Sequence, residues 1–476
     1  MRVLVAIAHH GQRNRQHLLR MLREFRSMDH DVDVVVLSEA EKPLPDEVEI
    51  RVGLPSDDPW SLPFAHQPLF QERRDQYDLF VYSEDDTLIE QRHLDSYVDL
   101  SSRLPEPYVP GFMRFEEQPD GRRSYCTIHS HYRWDVGSVF VQDGLTFAHF
   151  TNEHGACYAL TRAQLGNVIA SGGFLVPPHR GRYDMLVSAA TAPYVRCGLR
   201  KVFCLERIED QLVHHLPNVY LGKLGVTQEE FETQLAALMA LPARAGDGQL
   251  LRTETSLDEP RWNKSCFPRA PERVADLVGP APARVLSFGA VNGALERELQ
   301  KRGHDVLAIP VDEVFGALLE HGGIATLPPR VPSSEELASV APADVLLAVD
   351  TFGYLADPVA ALRALLPAIG PGGRVVATAP DHRRQWWREA LPGGRRRSLP
   401  RSWVDHGLHP TDPGQLRRWL RDAGCTGIRT HHRRASRVEP VGASGVRGRV
   451  LGNTVLATAR PDPARVRSAP TVGSVR

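Results

Sequence analysis

The sequence predicts a two-domain α/β protein. Apolar strand-like runs alternate with helix-periodic segments over residues 2–241, a second such series starts near residue 284, and a stretch rich in Pro, Gly, Asp and Arg separates the two. Alternating β and α elements favour a mostly parallel sheet covered by helices. A chain of 476 residues also exceeds one ordinary domain.

In the first series, residues 2–8 read as a strand and Arg13–Ser27 as a helix, with Leu18, Leu19, Leu22 and Phe25 at helical spacing. Asp31–Leu37 is β-branched, Glu47–Val52 alternates, Phe64–Tyr77 suits a helix and Asp78–Ser83 the next strand. Residues 105–150 are irregular, with a histidine- and aromatic-rich run from His129 to Trp134. Thr161–Ala170 is helical, and Thr227 with Glu230 spells a capping box for a helix ending near Leu241. The second series runs strand Arg284–Phe288, helix Gly293–Arg302, strands Asp305–Ile309 and Asp344–Val349, helix Pro358–Leu366, strand Arg374–Ala379, helix Asp412–Ala423 and strand Asn453–Thr458. The expected organisation is therefore a first domain over 1–241, a linker over 242–282, a second domain over 283–460 and a disordered tail over 461–476.

The charges nearly cancel, at 57 basic against 58 acidic residues, so nothing argues for nucleic acid or an anionic membrane as partner. The arginine run 395–397 and the pair Arg433–Arg434 read as solvated surface. The short apolar N-terminus lacks a signal-peptide pattern, and no apolar run reaches the roughly 18 residues of a membrane span. The six cysteines show no C-x-x-C spacing, which argues against structural zinc or a disulfide framework. A cytoplasmic protein is expected, and the Arg/Ala/Pro-rich usage hints at a bacterium with GC-rich DNA.

The most informative chemistry is Glu84-Asp85-Asp86 at the carboxyl end of the strand Asp78–Ser83. Carboxylates are too costly to bury unpaired, and three together suit a hard divalent cation such as Mn²⁺ or Mg²⁺. With the preceding Tyr77–Ser83, this segment resembles the metal-motif strand of GT-A-fold glycosyltransferases. The resemblance implies a nucleotide-sugar donor, with Asp86 contacting the metal and Asp85 or Glu84 in support. It also implies that Asp184, in Arg182-Tyr183-Asp184-Met185, is the base that deprotonates a glycan or small-molecule hydroxyl acceptor. Asp184 equally suits a helix N-cap. His215, or else His214, would serve the metal or diphosphate, and His9, His10, Asn14 and Arg15 would lie near the nucleotide. Asn152–Gly155 would line the acceptor side or form a plain loop. The product would have inverted anomeric configuration.

The segment Arg284–Leu299 followed by Lys301–Glu313 resembles the first motif of class I S-adenosylmethionine-dependent methyltransferases. Later stretches agree with it, Ala343–Asp350 and Gly370-Pro371-Gly372-Gly373 among them. The resemblance implies a Rossmann-like fold with a cofactor site at Gly289, Gly293, Asp312 and Asp350. Without a ligand the two glycines are simply turn residues. The sequence departs from the motif at Ser287, Val291 and Pro310. The valine side chain is expected to crowd the cofactor, and Pro310 has no side-chain acceptor for ribose hydroxyls. The domain therefore either binds S-adenosylmethionine in an altered way or is a remnant. The leading expectation is a metal-dependent glycosyltransferase with an accessory methyltransferase-like domain. The alternatives are a bifunctional glycosyltransferase/O-methyltransferase and a non-catalytic scaffold of two decayed enzyme folds.

Overall fold

The structure, a computed structural model, describes residues 1–125, 131–221, 225–241, 248–257, 262–268, 272–382, 403–433 and 454–462. The arginine run 395–397 and all of the expected tail beyond residue 462 lie outside the described residues. The chain divides into two compact units, Met1–Pro242 with Asp258–Pro260, and Ala243–Leu257 with Arg261–Arg476.

The N-terminal unit is built on β1 (Arg2–His9), α1 (Arg15–Ser27), β2 (Asp31–Ser38), β3 (Glu49–Val52), α2 (His66–Arg73), β4 (Leu79–Glu84), β5 (Thr87–Leu88) and α3 (Gln91–Arg103). Five short strands follow, β6 (Tyr108–Pro110), β7 (Met113–Glu117), β8 (Arg123–Tyr125), β9 (Trp134–Gln142) and β10 (Leu145–Phe150). The unit closes with β11 (Cys157–Thr161), α4 (Arg162–Ala170), α5 (Met185–Val195), β12 (Arg200–Cys204), β13 (Leu212–His215), β14 (Val226–Thr227) and α6 (Gln228–Ala240). The main sheet has the order β11-β4-β1-β2-β3. Its first four strands are parallel, and β11 is antiparallel to β4. β1 is buried on both faces, as a helix-covered parallel strand must be. Val3, Val5 and Ile7 pack with Leu18, Met21, Leu22 and Phe25 of α1 on one side. Leu4 and Ala6 pack with Leu69 and Phe70 of α2 on the other. Two smaller sheets, β6-β12-β10-β9 and β14-β8-β7-β13-β5, carry the remaining strands.

Parts of this unit differ from the sequence-based expectation, among them β11, β12 and β13, which it did not include. The helix expected over Phe64–Tyr77 is a 3₁₀ turn at Pro59–Ala65 followed by the shorter α2, because Pro63 interrupts its start. α3 went unrecognised because it is polar-rich and its capping box pairs Glu90 with His93 rather than the usual Ser/Thr with Glu/Gln. The stretch 105–150 gave no single period because three of its five strands have five residues or fewer and the five divide between two sheets.

The C-terminal unit contains α7 (Glu272–Val278), β15 (Arg284–Ala290), α8 (Ala294–Lys301), β16 (Asp305–Pro310), α9 (Glu313–His321), β17 (Ala325–Thr326), α10 (Ser334–Ala338), β18 (Ala343–Val349), α11 (Pro358–Leu365), β19 (Ile369–Pro380), α12 (Trp403–His406), α13 (Pro413–Asp422), β20 (Cys425–Arg433) and β21 (Thr454–Pro461). They form one doubly wound sheet of order β17-β16-β15-β18-β19-β21-β20. Only β21 runs antiparallel, wedged between β19 and β20. Leu251, Trp262 and Cys266, from the stretch composition assigns to a linker, are buried in this unit's core. The five cysteines among the described residues are free thiols. No helix among the described residues is long and apolar enough to cross a membrane.

Phe25 is 1% exposed and joins α1 to β1. Phe25→Ala is expected to destabilise the N-terminal unit by about 3–5 kcal/mol, measured as a lower denaturant midpoint for that unit's transition. An unchanged midpoint would mean that the helix does not depend on this contact.

Candidate functional site

In the N-terminal unit the strand order reverses beside β1, with β2 on one side and β4 on the other. A parallel sheet opens a ligand crevice at the carboxyl ends of its strands at such a point. Ala8 of β1 lies opposite Glu84 of β4, so His9 and the acidic triplet emerge together. The turn Asp85-Asp86 leads into β5, whose Thr87 pairs with His215 of β13. β13 in turn pairs with β7, which carries Arg114 and Glu116.

These elements bring the side chains into one network. His9 Nδ1 lies 2.5 Å from Asp85 Oδ2. Asn14 Nδ2 donates to Asp85 Oδ1 at 2.8 Å and to Asp86 Oδ2 at 3.0 Å. His215 places Nδ1 2.6 Å from Glu116 Oε1 and Nε2 3.6 Å from Asp86 Oδ2. His154 Nε2 stands 3.9 Å from Glu84 Oε1. Three buried atoms of the crevice, Glu84 Oε1, Asp86 Oδ1 and His9 Nε2, have no hydrogen-bond partner. Buried polar atoms are normally satisfied, so these orphans mark a place for a ligand.

Burial shapes the charges. It is the largest influence on Glu84 and, with the neighbouring Asp86 carboxylate, pushes its carboxyl up to about 8. Burial also works against the charge of Asp86, but the hydrogen bond from His215 and the positive charges of His215 and Arg114 outweigh it and hold that carboxyl low. His215 is raised, because its hydrogen bonds to Asp86 and Glu116 overcome the desolvation that would lower it.

The structure gathers His9, Asn14, Glu84, Asp85, Asp86 and His215. It leaves His10 exposed, one strand position out of phase with His9. His214 faces away, its ring stacked on Phe115 with centroids 5.0 Å apart. Asp184 caps α5, where its Oδ1 accepts from Val187 N at 2.9 Å. Arg114 and Glu116 were missed because their strand lies in the irregular stretch; two charged residues alternating within Met113–Glu117 were the available signal. Among the described residues no group of three or more His, Cys, Asp or Glu side chains is arranged to hold a metal. The acidic triplet is held by Asn14 and histidines instead, and Glu84 Oε1 and Asp86 Oδ1 are left without a partner.

The C-terminal unit repeats the reversal, with β15 between β16 and β18. Gly289 ends β15 with φ +77, and a Cβ there would sit 2.4 Å from Thr351 Oγ1. Gly293, φ +74, precedes α8, and a Cβ there would meet the Arg297 side chain at 2.8 Å. Both positions require glycine in this fold. Val291 is buried and packs in the same hydrophobic cluster as Trp262, Cys266 and Phe315. Ser287 donates to Glu296 Oε1 at 2.6 Å, so a buried acid from α8 stands beside the position where the motif carries its own. The Asp312 carboxylate caps α9 through Phe315 N at 3.0 Å. Asp350 Oδ1 accepts from Thr378 Oγ1 at 2.6 Å. Both predicted cofactor carboxylates are thus engaged inside the fold.

Residues 262–430 match a family described as a methyltransferase domain. Two curated relatives, the ubiquinone biosynthesis O-methyltransferases of Xanthomonas axonopodis pv. citri (strain 306) and Xanthomonas euvesicatoria pv. vesicatoria (strain 85-10), are each 28% identical over 162 residues, covering 32% of this chain and 66% of theirs. The chain therefore spans just under two thirds of these relatives. Among solved structures, the 1,6-didemethyltoxoflavin-N1-methyltransferase of Burkholderia thailandensis is 20% identical with a TM-score of 0.27, over 40% of this chain and 76% of that one. Residues 262–430 of the C-terminal unit are therefore similar to methyltransferase domains.

Between its ordinary 4.5 and about 8, Glu84 holds a proton in the folded state that the unfolded chain releases. The folded state is therefore favoured below that window and loses stability as pH rises through it. Glu84→Gln is expected to flatten this dependence, gaining on the order of 5 kcal/mol over the parent above the window. Parallel pH slopes in denaturant titrations of the two proteins would show that Glu84 does not carry the shift.

Proposed function

We propose that this chain is a bifunctional transferase whose C-terminal unit moves a methyl group from S-adenosylmethionine to an oxygen acceptor. The observation that carries the reading is the doubly wound sheet with Gly289 at positive φ where its strand order reverses, inside the stretch that matches the methyltransferase family. The O-methyltransferase relatives support an oxygen acceptor. Gly289 and Gly293 would let the backbone approach the cofactor, which supplies an electrophilic methyl group. Asp312 and Asp350 remain candidates for cofactor contact only if their present hydrogen bonds are exchanged.

A second activity, sugar transfer from a nucleotide-sugar donor, is favoured for the N-terminal unit by one specific observation. Glu84 Oε1 and Asp86 Oδ1 are orphaned acceptors at the carboxyl end of the strand where ligands bind. They would hold Mn²⁺ or Mg²⁺, a Lewis acid for a departing diphosphate. His215 would present Nε2 while Glu116 orients the ring through Nδ1, the carboxylate–histidine arrangement common around metals. Asn14 and His9 would hold Asp85 in place. Asp184, whose Oδ1 already caps α5, would take the acceptor proton with its other oxygen. The domain limits that go with this reading are 1–241 for sugar transfer and 283–460 for methyl transfer, the latter extended upstream to include the core residues Leu251, Trp262 and Cys266.

Calorimetric titration tests both parts. Binding of S-adenosylhomocysteine is expected for the whole chain, and silence would remove the methyl-transfer reading. UDP, GDP or dTDP is expected to bind only with Mn²⁺. Asp86→Ala should weaken that binding at least tenfold, about 1.4 kcal/mol, while leaving the melting temperature close to the parent's. Nucleotide binding untouched by Asp86→Ala would remove the metal assignment, and silence from every ligand would leave a scaffold of two decayed folds.

A further inference from the structure

The segment 262–268 enters the C-terminal unit's crevice. Asn292 Nδ2, from the loop after β15, donates to Pro268 O at 3.2 Å. Phe267 packs against Phe315 of α9 with ring centroids 5.5 Å apart, and Trp262 against His382 at 5.1 Å. Upstream, Leu250 N donates to Val311 O at 2.7 Å. Between these anchors Lys264, 7% exposed, carries its ammonium to the carboxyl end of β18. Nζ donates to Val349 O, to Asp350 O at 3.3 Å and to Thr351 Oγ1 at 3.3 Å. The same Thr351 hydroxyl reaches Phe288 O of β15 at 3.2 Å and is the group a Cβ at Gly289 would strike. A cation of the chain itself therefore sits at the strand-order reversal between β15 and β18, on two backbone carbonyls and a hydroxyl.

We propose that residues 262–268 are an autoinhibitory strap, with Lys264 competing for the seat that the ammonium end of an aminoacyl sulfonium cofactor would take. The proposal rests on the methyltransferase reading and adds a restraint to it. A desolvated seat of carbonyl and hydroxyl oxygens holds one ammonium at a time, so a ligand bearing an ammonium must displace Lys264. Its apparent affinity is reduced by the fraction of chains in which the strap is closed. A ligand with the adenosine end alone has no such competitor.

The test compares the full chain with Lys264→Ala, titrated with S-adenosylhomocysteine and with 5′-methylthioadenosine, which lacks the amino-acid end. The expected result is about tenfold tighter binding of S-adenosylhomocysteine by the variant and equal binding of 5′-methylthioadenosine by both. If Lys264→Ala does not fold, as judged by thermal melting, Lys264→Met keeps the packing volume and removes the charge for the same comparison. Equal or weaker S-adenosylhomocysteine binding by the variant overturns the strap and leaves the methyltransferase reading standing. A gain for both ligands overturns competition at the ammonium seat. No binding of either ligand by either protein overturns the strap and the reading together.

Discussion

Both units depend on one constraint, the reversal of strand order beside the first strand of a parallel sheet. Crossovers from β1 to β2 and toward β4 lie on opposite faces, so the chain cannot cover the carboxyl end of β1 from both sides, and a crevice remains. The second unit meets the same constraint at β15, flanked by β16 and β18. His9 and Glu84 project there in one unit, Gly289 and Thr351 in the other. Each site is a by-product of parallel topology, and its chemistry is set by the residues that end those strands.

The two crevices differ in sign. The first collects carboxylates, and their burial is offset by Asn14, His9 and His215, which leave particular oxygens unsatisfied. On the proposed reading such a site would take a cation and, through it, an anionic leaving group. The second offers backbone carbonyls and a hydroxyl, and the described chain already places an ammonium on them.

The alternation of strands and helices was legible because buried parallel strands are continuous apolar runs and covering helices carry a periodic stripe. β1, β2, β4, β15, β16 and β18 could all be placed to within a few residues. α3 could not, because it is polar-rich, and the strands of 105–150 could not, because they divide between two sheets that also recruit the distant β12, β13 and β14. Of the first site, the triplet announced itself by its position after an apolar strand. Arg114 and Glu116 did not, since their strand joins the site only by pairing with β13.

By itself the sequence determined two α/β units, the acidic turn after β4 and the glycines near the carboxyl end of β15, because local periodicity and turn stereochemistry are written in neighbouring residues. Only the tertiary structure decided which side chains meet. It chose His9 over His10 through strand pleating and His215 over His214 through pairing with Thr87. It spent Asp184 and Asp312 on helix caps and turned Val291 into the core. It also drew Lys264 from an apparent linker into the second crevice. Those choices rest on contacts across scores of residues, and burial, which decides the cost of each charge, exists only once the chain has closed around it.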